Sequence, residues 1–79
     1  MLTDIEEETI TYICSTGLSY RHAANHFHLS VRSVESRMDN IRHKLNLDYR
    51  SQVVTWGIMN GYLDEDLYNR HILHQYDAA

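Results

Sequence analysis

The sequence predicts an all-helical domain of the all-α class. The chain contains no proline and only three glycines in its 79 residues, so residues that interrupt helices are scarce. Hydrophobic residues make up 43% of the chain, which is enough for a folded core and more than disordered chains contain. A domain this small has little room for an enclosed active site and often gains stability by dimerising.

Helix one begins at a capping box and ends at a glycine. Thr3 is followed three residues later by Glu6, the spacing at which a hydroxyl and a carboxylate satisfy the free backbone donors of a first turn. Gly17 can adopt the left-handed conformation that commonly ends a helix. We therefore interpret the acidic run "DIEEE" as the start of a helix rather than as a partner-binding tail. The predicted inward stripe is Ile10, Ile13 and Cys14.

Helices two and three form a pair joined by a tight turn. Ser19 caps a short helix over residues 20–27, "HLS" at 28–30 forms the turn, and Ser30 caps a third helix that ends near residue 45. This is the helix-turn-helix pattern. The alternative is a generic four-helix bundle, in which Arg32 and Arg37 are merely solvated. The predicted inward residues of the pair are Ala23, Ala24, Phe27, Val34, Met38, Ile41 and Leu45.

Two further helices follow the segment "NLDYRS", which interrupts the third helix. The fourth begins at Arg50 or Ser51 and ends near Gly61. Its predicted inward line is Val54, Gly57 and Ile58. A fifth helix begins with an acidic cap at Asp64. One face of this helix carries Tyr68, Ile72 and Tyr76.

The charge of the chain is unevenly distributed. The formal net charge is −4 at pH 7, and both ends are acidic: residues 1–19 carry −4 and residues 51–79 carry −3. Residues 20–50 carry six basic against three acidic side chains, a balance of +3. Because a surface that faces phosphates needs positive charge, the middle third of the chain is the only candidate for one.

The sequence contains no motif for several common classes of function. Cys14 is the only cysteine, so neither an intrachain disulfide nor a cysteine-based zinc cluster is possible. We find no nucleophile–base pair, no glycine-rich phosphate loop and no strong metal motif, and we expect neither an enzyme nor a bound cofactor or metal. The chain has no apolar run of transmembrane length and no signal peptide. We therefore expect no membrane contact, and a location in the cytoplasm of a bacterium or of a phage-infected cell.

The outer face of the fourth helix predicts a protein interface. Trp56 lies about 160° from the predicted inward line, so we expect it to be exposed in a monomer, and exposed tryptophan with methionine is typical of interfaces. Homodimerisation through residues 51–60 is the favoured interpretation. The alternative is that the C-terminal tail folds back and covers Trp56. The predicted interface residues are Gln52, Thr55, Trp56, Met59, Tyr68 and Ile72.

Short motifs run through the chain in a fixed order from Leu2 to Leu63, namely "LT", "GLS", "LS", "SV", "NI", "KL.L", "R.Q.V" and "G.L". Their order and spacing closely resemble the LuxR/GerE-type helix-turn-helix domain of bacterial response regulators and quorum-sensing regulators. The resemblance covers four helices. We therefore predict that residues 1–63 form this domain and residues 64–79 a C-terminal helical extension. Such a chain would be a stand-alone member of the family, without a receiver or ligand-sensing domain.

The resemblance implies that the third helix, residues 30–45, enters the major groove of DNA and that the fourth pairs two subunits on a two-fold-related site. Carried over by position, Ser30 and Ser33 would contact phosphate or cap the helix. The base-facing positions would be Glu35, Ser36 and Asp39, and the basic residues near the DNA backbone would be Lys44 and Arg50. Four further side chains complete the predicted DNA surface: Arg32, Arg37, Asn40 and His43.

The chain departs from the family pattern on the surface that would meet DNA. Glu35 stands where the family usually has lysine, and Arg37 where it usually has histidine. A carboxylate can accept a hydrogen bond from cytosine N4, yet Glu35 and Asp39 remove two contacts that would release counterions from DNA. Two hypotheses follow. The chain is a homodimeric transcription regulator that binds double-stranded DNA, or it is a protein-binding anti-activator or antirepressor that sequesters a related transcription regulator. Its brevity suits a phage or plasmid origin.

Overall fold

The structure, a computed structural model, describes the backbone of residues 1–77 and the side chains of residues 1–71. Its helices are α1 (Asp4–Thr16), α2 (Tyr20–Phe27), α3 (Val31–Lys44), α4 (Arg50–Met59) and α5 (Glu65–Asp77). The described backbone contains no strand, which confirms the all-α prediction and its five helices. Among the described residues, none of the helices combines the length and the hydrophobicity of a membrane-spanning segment.

Helix α1 lies at the centre of the fold and packs against each of the other four helices. The inward stripes predicted for α1, α2 and α3 are confirmed, and Cys14 is buried among them. The Cys14 thiol donates to the Val54 carbonyl at 3.5 Å, and burial raises the pKa of this thiol to about 11. Cys14 is therefore a packing residue rather than a reactive thiol. The completely buried apolar side chains are Ile10, Ala23, Val34, Met38, Ile41 and Val53.

The predicted helix caps are present at the starts of α1 and α3. The Thr3 N–H donates to Glu6 Oε1 at 2.9 Å, and the Glu6 N–H donates to Thr3 Oγ1 at 3.2 Å, which completes the capping box. Gly17 ends α1 in the left-handed conformation with a φ of 64°. At α3, the Ser33 N–H donates to Ser30 Oγ at 3.1 Å. These local rules fix where the helices begin and end.

The predicted inward line of α4 is wrong by a rotation about the helix axis. Val53 is completely buried and Gly57 is buried, whereas Val54 is half-buried and Ile58 is 48% exposed. The rotation follows from close packing on α1, because a Cβ atom added at Gly57 would lie 2.5 Å from Cys14 Sγ. The bare backbone of Gly57 therefore sets how closely α4 approaches α1.

The start of α5 is anchored on α1. The Asp64 N–H donates to Ser15 Oγ at 2.8 Å, and the Asp64 carboxylate accepts from the Leu67 N–H at 3.2 Å, which confirms the predicted acidic cap. Leu67 packs against the core, and the His71 ring meets the Tyr12 ring edge-on at 6.2 Å. In the part of α5 whose side chains are described, Leu67 and His71 therefore form the inward side.

Candidate nucleic-acid interface

Helices α2 and α3 pack against each other across the three-residue turn predicted at 28–30. His28 ends α2 in the left-handed conformation, with a φ of 57°, and the Leu29 N–H donates to the Ala24 carbonyl at 2.8 Å. Ser30 then caps α3. Because Val34, Met38 and Ile41 turn the apolar face of α3 into the core, its opposite face is left to solvent. The exposed side chains of that face are Arg32, Ser36, Asn40 and His43.

The two carboxylates of α3 are bound by an arginine from α4. Arg50 holds Asp39 in a two-point contact, with Nε to Oδ1 at 2.9 Å and Nη2 to Oδ2 at 3.0 Å. Its Nη1 donates to Glu35 Oε2 at 3.3 Å, and its guanidinium lies 5.6 Å from the Tyr20 ring centre. Because Arg50 donates to it, the pKa of Asp39 lies below its ordinary value. The network ties α3 to α4 and offsets the negative charge of Glu35 and Asp39.

The two carboxylates differ in their remaining capacity to accept hydrogen bonds. Both oxygens of Asp39 contact Arg50, and Oδ1 also lies 3.7 Å from Nε of Arg42. Oε1 of Glu35 has no hydrogen-bond partner among residues 1–71. Both residues, with Arg32, Ser36 and Arg50, line an open groove of about 450 Å³. If either carboxylate reads a cytosine, Glu35 is the one with an oxygen available.

Lys44 is also engaged within the protein. Its Nζ donates to Glu6 Oε1 at 2.7 Å, and the Glu6 side chain is only 9% exposed. Burial raises the pKa of Glu6, but its bonds with Lys44 and Thr3 outweigh that effect and hold the pKa below its ordinary value. Lys44 was predicted to lie near the DNA backbone. In the structure its ammonium group instead joins the end of α3 to the start of α1.

Arg37 points from α3 towards α1 and α2. Its Nη1 donates to Thr9 Oγ1 at 3.2 Å, and its guanidinium lies 5.7 Å from the centre of the Phe27 ring. Thr9 is completely buried. These contacts make Arg37 a link between three helices, and its side chain is only half-exposed.

Replacement of Arg37 by methionine tests this structural role. The change keeps the apolar stem and removes the guanidinium, so we expect the free energy of unfolding to fall by about 1 kcal/mol. Denaturant unfolding would measure this loss. If the chain binds DNA, the salt dependence of that binding should stay unchanged, because the guanidinium contacts Thr9 and Phe27. Unaltered stability together with a shallower salt dependence would instead assign Arg37 to DNA.

Two contacts in this region could not be predicted from the sequence. Tyr20 supplies the ring beneath Arg50, and burial raises the pKa of its hydroxyl. Arg42 donates to the Leu47 carbonyl at 3.2 Å and thereby closes the turn after α3. The only available signal for Arg50 was its position directly after a helix break, where a side chain can reach back over the preceding helix.

The histidines of α2 contact neighbouring side chains of the protein. Nδ1 of His22 lies 2.9 Å from Ser19 Oγ, and the His26 ring stacks on Tyr12 with the ring centres 4.3 Å apart. Among the residues whose side chains are described, no three histidine, cysteine, aspartate or glutamate residues form a group that could hold a metal ion. The observed role of these histidines is to cap and pack α2.

The predicted interface residues of α4 lie together. Gln52, Thr55, Trp56 and Met59 line one open groove of about 340 Å³, and Met59 is 79% exposed. Gln52 also has a local role that the sequence did not reveal, because its Oε1 accepts from the N–H groups of residues 48 and 49 at 2.9 and 2.8 Å. It thereby satisfies free backbone donors at the start of α4.

The expectation of an exposed Trp56 is only partly correct. Trp56 is half-buried, and Tyr62 stacks on it with the ring centres 5.5 Å apart. Tyr62 belongs to the segment between α4 and α5, and α5 itself packs on α1. Tyr68 is 44% exposed, and the side chain of Ile72 lies outside the described residues. The Tyr62 ring therefore packs on part of the indole, and the rest of the indole lines the open groove.

Comparison with known proteins adds no relative: no protein-family model matches the chain, and no curated protein matches it. The five helices and the absence of strands among the described residues are compatible with an all-α helix bundle. Membership of that family stays a proposal, supported by the motifs between Leu2 and Leu63.

Proposed function

We propose that the protein is a small DNA-binding transcription regulator in which α3 lies in the major groove of double-stranded DNA. One observation carries the proposal. The outer face of α3 presents four exposed polar side chains at helical spacing, directly after a tight turn from α2. Such side chains can contact base edges and phosphates. They are Arg32, Ser36, Asn40 and His43.

Three side chains on or beside α3 have distinct roles in the proposed DNA binding. Arg32 is exposed in the first turn of α3 and makes no hydrogen bond or ion pair with residues 1–71, so its guanidinium is free to bind a phosphate or a guanine. Glu35 offers Oε1 to cytosine N4. Arg50, held between two carboxylates, orients Glu35.

Contacts of basic side chains within the protein limit the electrostatic part of DNA binding. Arg37, Lys44 and Arg50 all contact residues of the protein itself, so few cations are left to displace counterions. We infer weak nonspecific binding, with a logarithmic salt slope of about −2 to −3. Sequence-specific contacts from α3 would then supply a large share of the affinity.

Replacement of Arg32 by glutamine tests the proposed surface. We expect DNA affinity to fall by roughly three- to ten-fold and the salt slope to become shallower by about 1, because one phosphate or base contact is lost. Arg70→Gln is the matched control, since Arg70 is exposed on α5. Fluorescence anisotropy at several salt concentrations measures both quantities. Equal effects of the two substitutions would contradict a DNA contact through Arg32.

We further propose that the groove around Trp56 pairs two copies of the chain. Met59 is the most exposed apolar residue of α4. Replacing it by glutamate would bury a negative charge in the proposed dimer interface. We expect Met59→Glu to raise the dimer dissociation constant at least about ten-fold, and Asn69→Glu, which adds the same charge on α5, to leave it unchanged. Sedimentation of the purified chain measures the dissociation constant. A monomeric parent, or equal effects, would contradict the pairing.

A second function has its own supporting observation. Three basic side chains of the predicted DNA surface are bound internally, and α3 itself carries two carboxylates, so that surface also suits a protein partner. On this alternative the chain sequesters a related transcription regulator, with Trp56 as an anchor. The charge reversal at Glu35 considered in the Discussion separates the two functions.

A further inference from the structure

Tyr62 joins the groove around Trp56 to the first turn of α1. Its ring stacks on the Trp56 indole, with the ring centres 5.5 Å apart and the ring planes inclined by 26°. Its hydroxyl donates to Glu7 Oε2 at 2.8 Å. Because the hydroxyl donates to a carboxylate, its pKa lies above the ordinary value. Tyr62 is thus held at its hydroxyl end by α1 while its ring covers part of the indole.

The backbone that carries Tyr62 is tied to the end of α4. The Tyr62 N–H donates to the Gly57 carbonyl at 2.9 Å. Gly61, directly before it, adopts the left-handed conformation with a φ of 86°, as glycines that end helices commonly do. Nδ2 of Asn60 donates to the Trp56 carbonyl at 2.8 Å. Backbone and hydroxyl of Tyr62 are both anchored, so its ring is held beside the indole.

The part of the indole that Tyr62 leaves uncovered lines a groove without charge. Among the described residues, the lining of this groove contains neither an acidic nor a basic side chain. Because the chain carries a net charge of −4, two copies approach each other most readily through an uncharged face. The lining consists of Leu47, Ser51, Gln52, Thr55, Trp56 and Met59.

We propose that Tyr62, held by Glu7, positions the indole of Trp56 for pairing with a second copy of the chain. This inference rests on the pairing proposed above. A side chain that turns freely loses that freedom when a partner binds, whereas an indole already held by a stacked ring has less to lose. Neither Tyr62 nor Glu7 is among the described residues that line the groove, so both act through Trp56.

Two substitutions that remove the bond between Tyr62 and Glu7 test the inference. Tyr62→Phe keeps the ring and removes the hydroxyl, and Glu7→Leu removes the acceptor. We expect each to raise the dimer dissociation constant by at least about three-fold, measured by sedimentation. We also expect each to lower the fluorescence anisotropy of the indole in the dilute monomer. Trp56 is the only tryptophan of the chain, so its emission can be followed without interference from another indole.

Three further variants separate this contact from general effects. The double variant should pair no more weakly than either single variant, because both changes remove the same bond. Glu7→Gln keeps an oxygen that can accept from Tyr62 and should stay within about two-fold of the parent. Glu8→Leu is the matched control, since it removes the same charge from an exposed neighbouring position, and it should leave both quantities unchanged. Far-UV circular dichroism establishes that each variant is folded.

The possible failures of this inference and of the pairing itself are distinguishable. A monomeric parent would overturn the pairing and, with it, the role of Tyr62. A dimeric parent whose dissociation constant and indole anisotropy are unchanged by Tyr62→Phe would overturn the role of Tyr62 alone. Additive losses in the double variant, or equal losses from Glu7→Leu and Glu8→Leu, would also overturn it, because stability or net charge would then account for the effect.

Discussion

Replacement of Glu35 by lysine is expected to raise the affinity for DNA by about 10- to 100-fold at low salt and to steepen its salt dependence by about 1 to 2. The change removes a negative charge from the outer side of α3 and adds a positive one. It also releases Nη1 of Arg50, which now donates to Glu35 Oε2 at 3.3 Å. Anisotropy titrations with a fixed duplex at several salt concentrations measure the effect.

Glu65→Lys is the control for this charge reversal, because it makes the same change on the exposed surface of α5. A similar gain from both variants would show that net charge alone is responsible, and would contradict contact between α3 and DNA. If α3 instead meets a protein, Glu35→Lys should weaken that complex while retention on DNA stays near zero. The three results are distinguishable in one set of titrations.

Replacement of Gly57 by valine is expected to lower the free energy of unfolding by about 3 kcal/mol, and the midpoint of thermal unfolding by roughly 15 °C. An added Cβ would lie 2.5 Å from Cys14 Sγ and 3.0 Å from Ile10 Cδ1. Both neighbours are buried, so they can move only by displacing other core atoms. Small domains have total stabilities of about 5 kcal/mol or little more, and the variant should be close to unfolding.

Ile58→Val introduces a valine at an exposed position of the same helix, outside the groove around Trp56, and should change the free energy of unfolding by less than about 0.5 kcal/mol. Calorimetric or denaturant unfolding of the two variants against the parent makes the comparison. If Gly57→Val were as stable as Ile58→Val, the close approach of α4 to α1 would be incorrect.

Helix boundaries could be predicted because they depend on neighbours in the sequence. Thr3 with Glu6, Gly17, Ser30 and Asp64 each act within a few residues. The inward stripe of α3 was equally clear, because its opposite face is polar. Helix α4 has apolar residues around most of its circumference, so its rotation could not be read from periodicity. Only Gly57, a glycine inside a helix, signalled a close backbone approach.

The candidate site could be predicted only in outline. The sequence identified which α3 residues face outward. It did not show which of them form ion pairs or hydrogen bonds with other residues of the chain. Arg50 and Asp39 are 11 residues apart, and Lys44 and Glu6 are 38 apart. Such pairs form only once the helices have packed, so no local pattern encodes them. They explain how α3 keeps a balanced local charge although it carries the carboxylates Glu35 and Asp39.

Selection of DNA fragments from a random-sequence pool by the purified, folded chain, at two salt concentrations, tests the central claim most directly. A regulator that reads DNA through the outer face of α3 as a homodimer should enrich a two-fold-symmetric sequence. Retention of that sequence should weaken as salt rises. If no sequence is enriched even at low salt, the protein does not recognise DNA through α3, and its outer face is a surface for a protein partner.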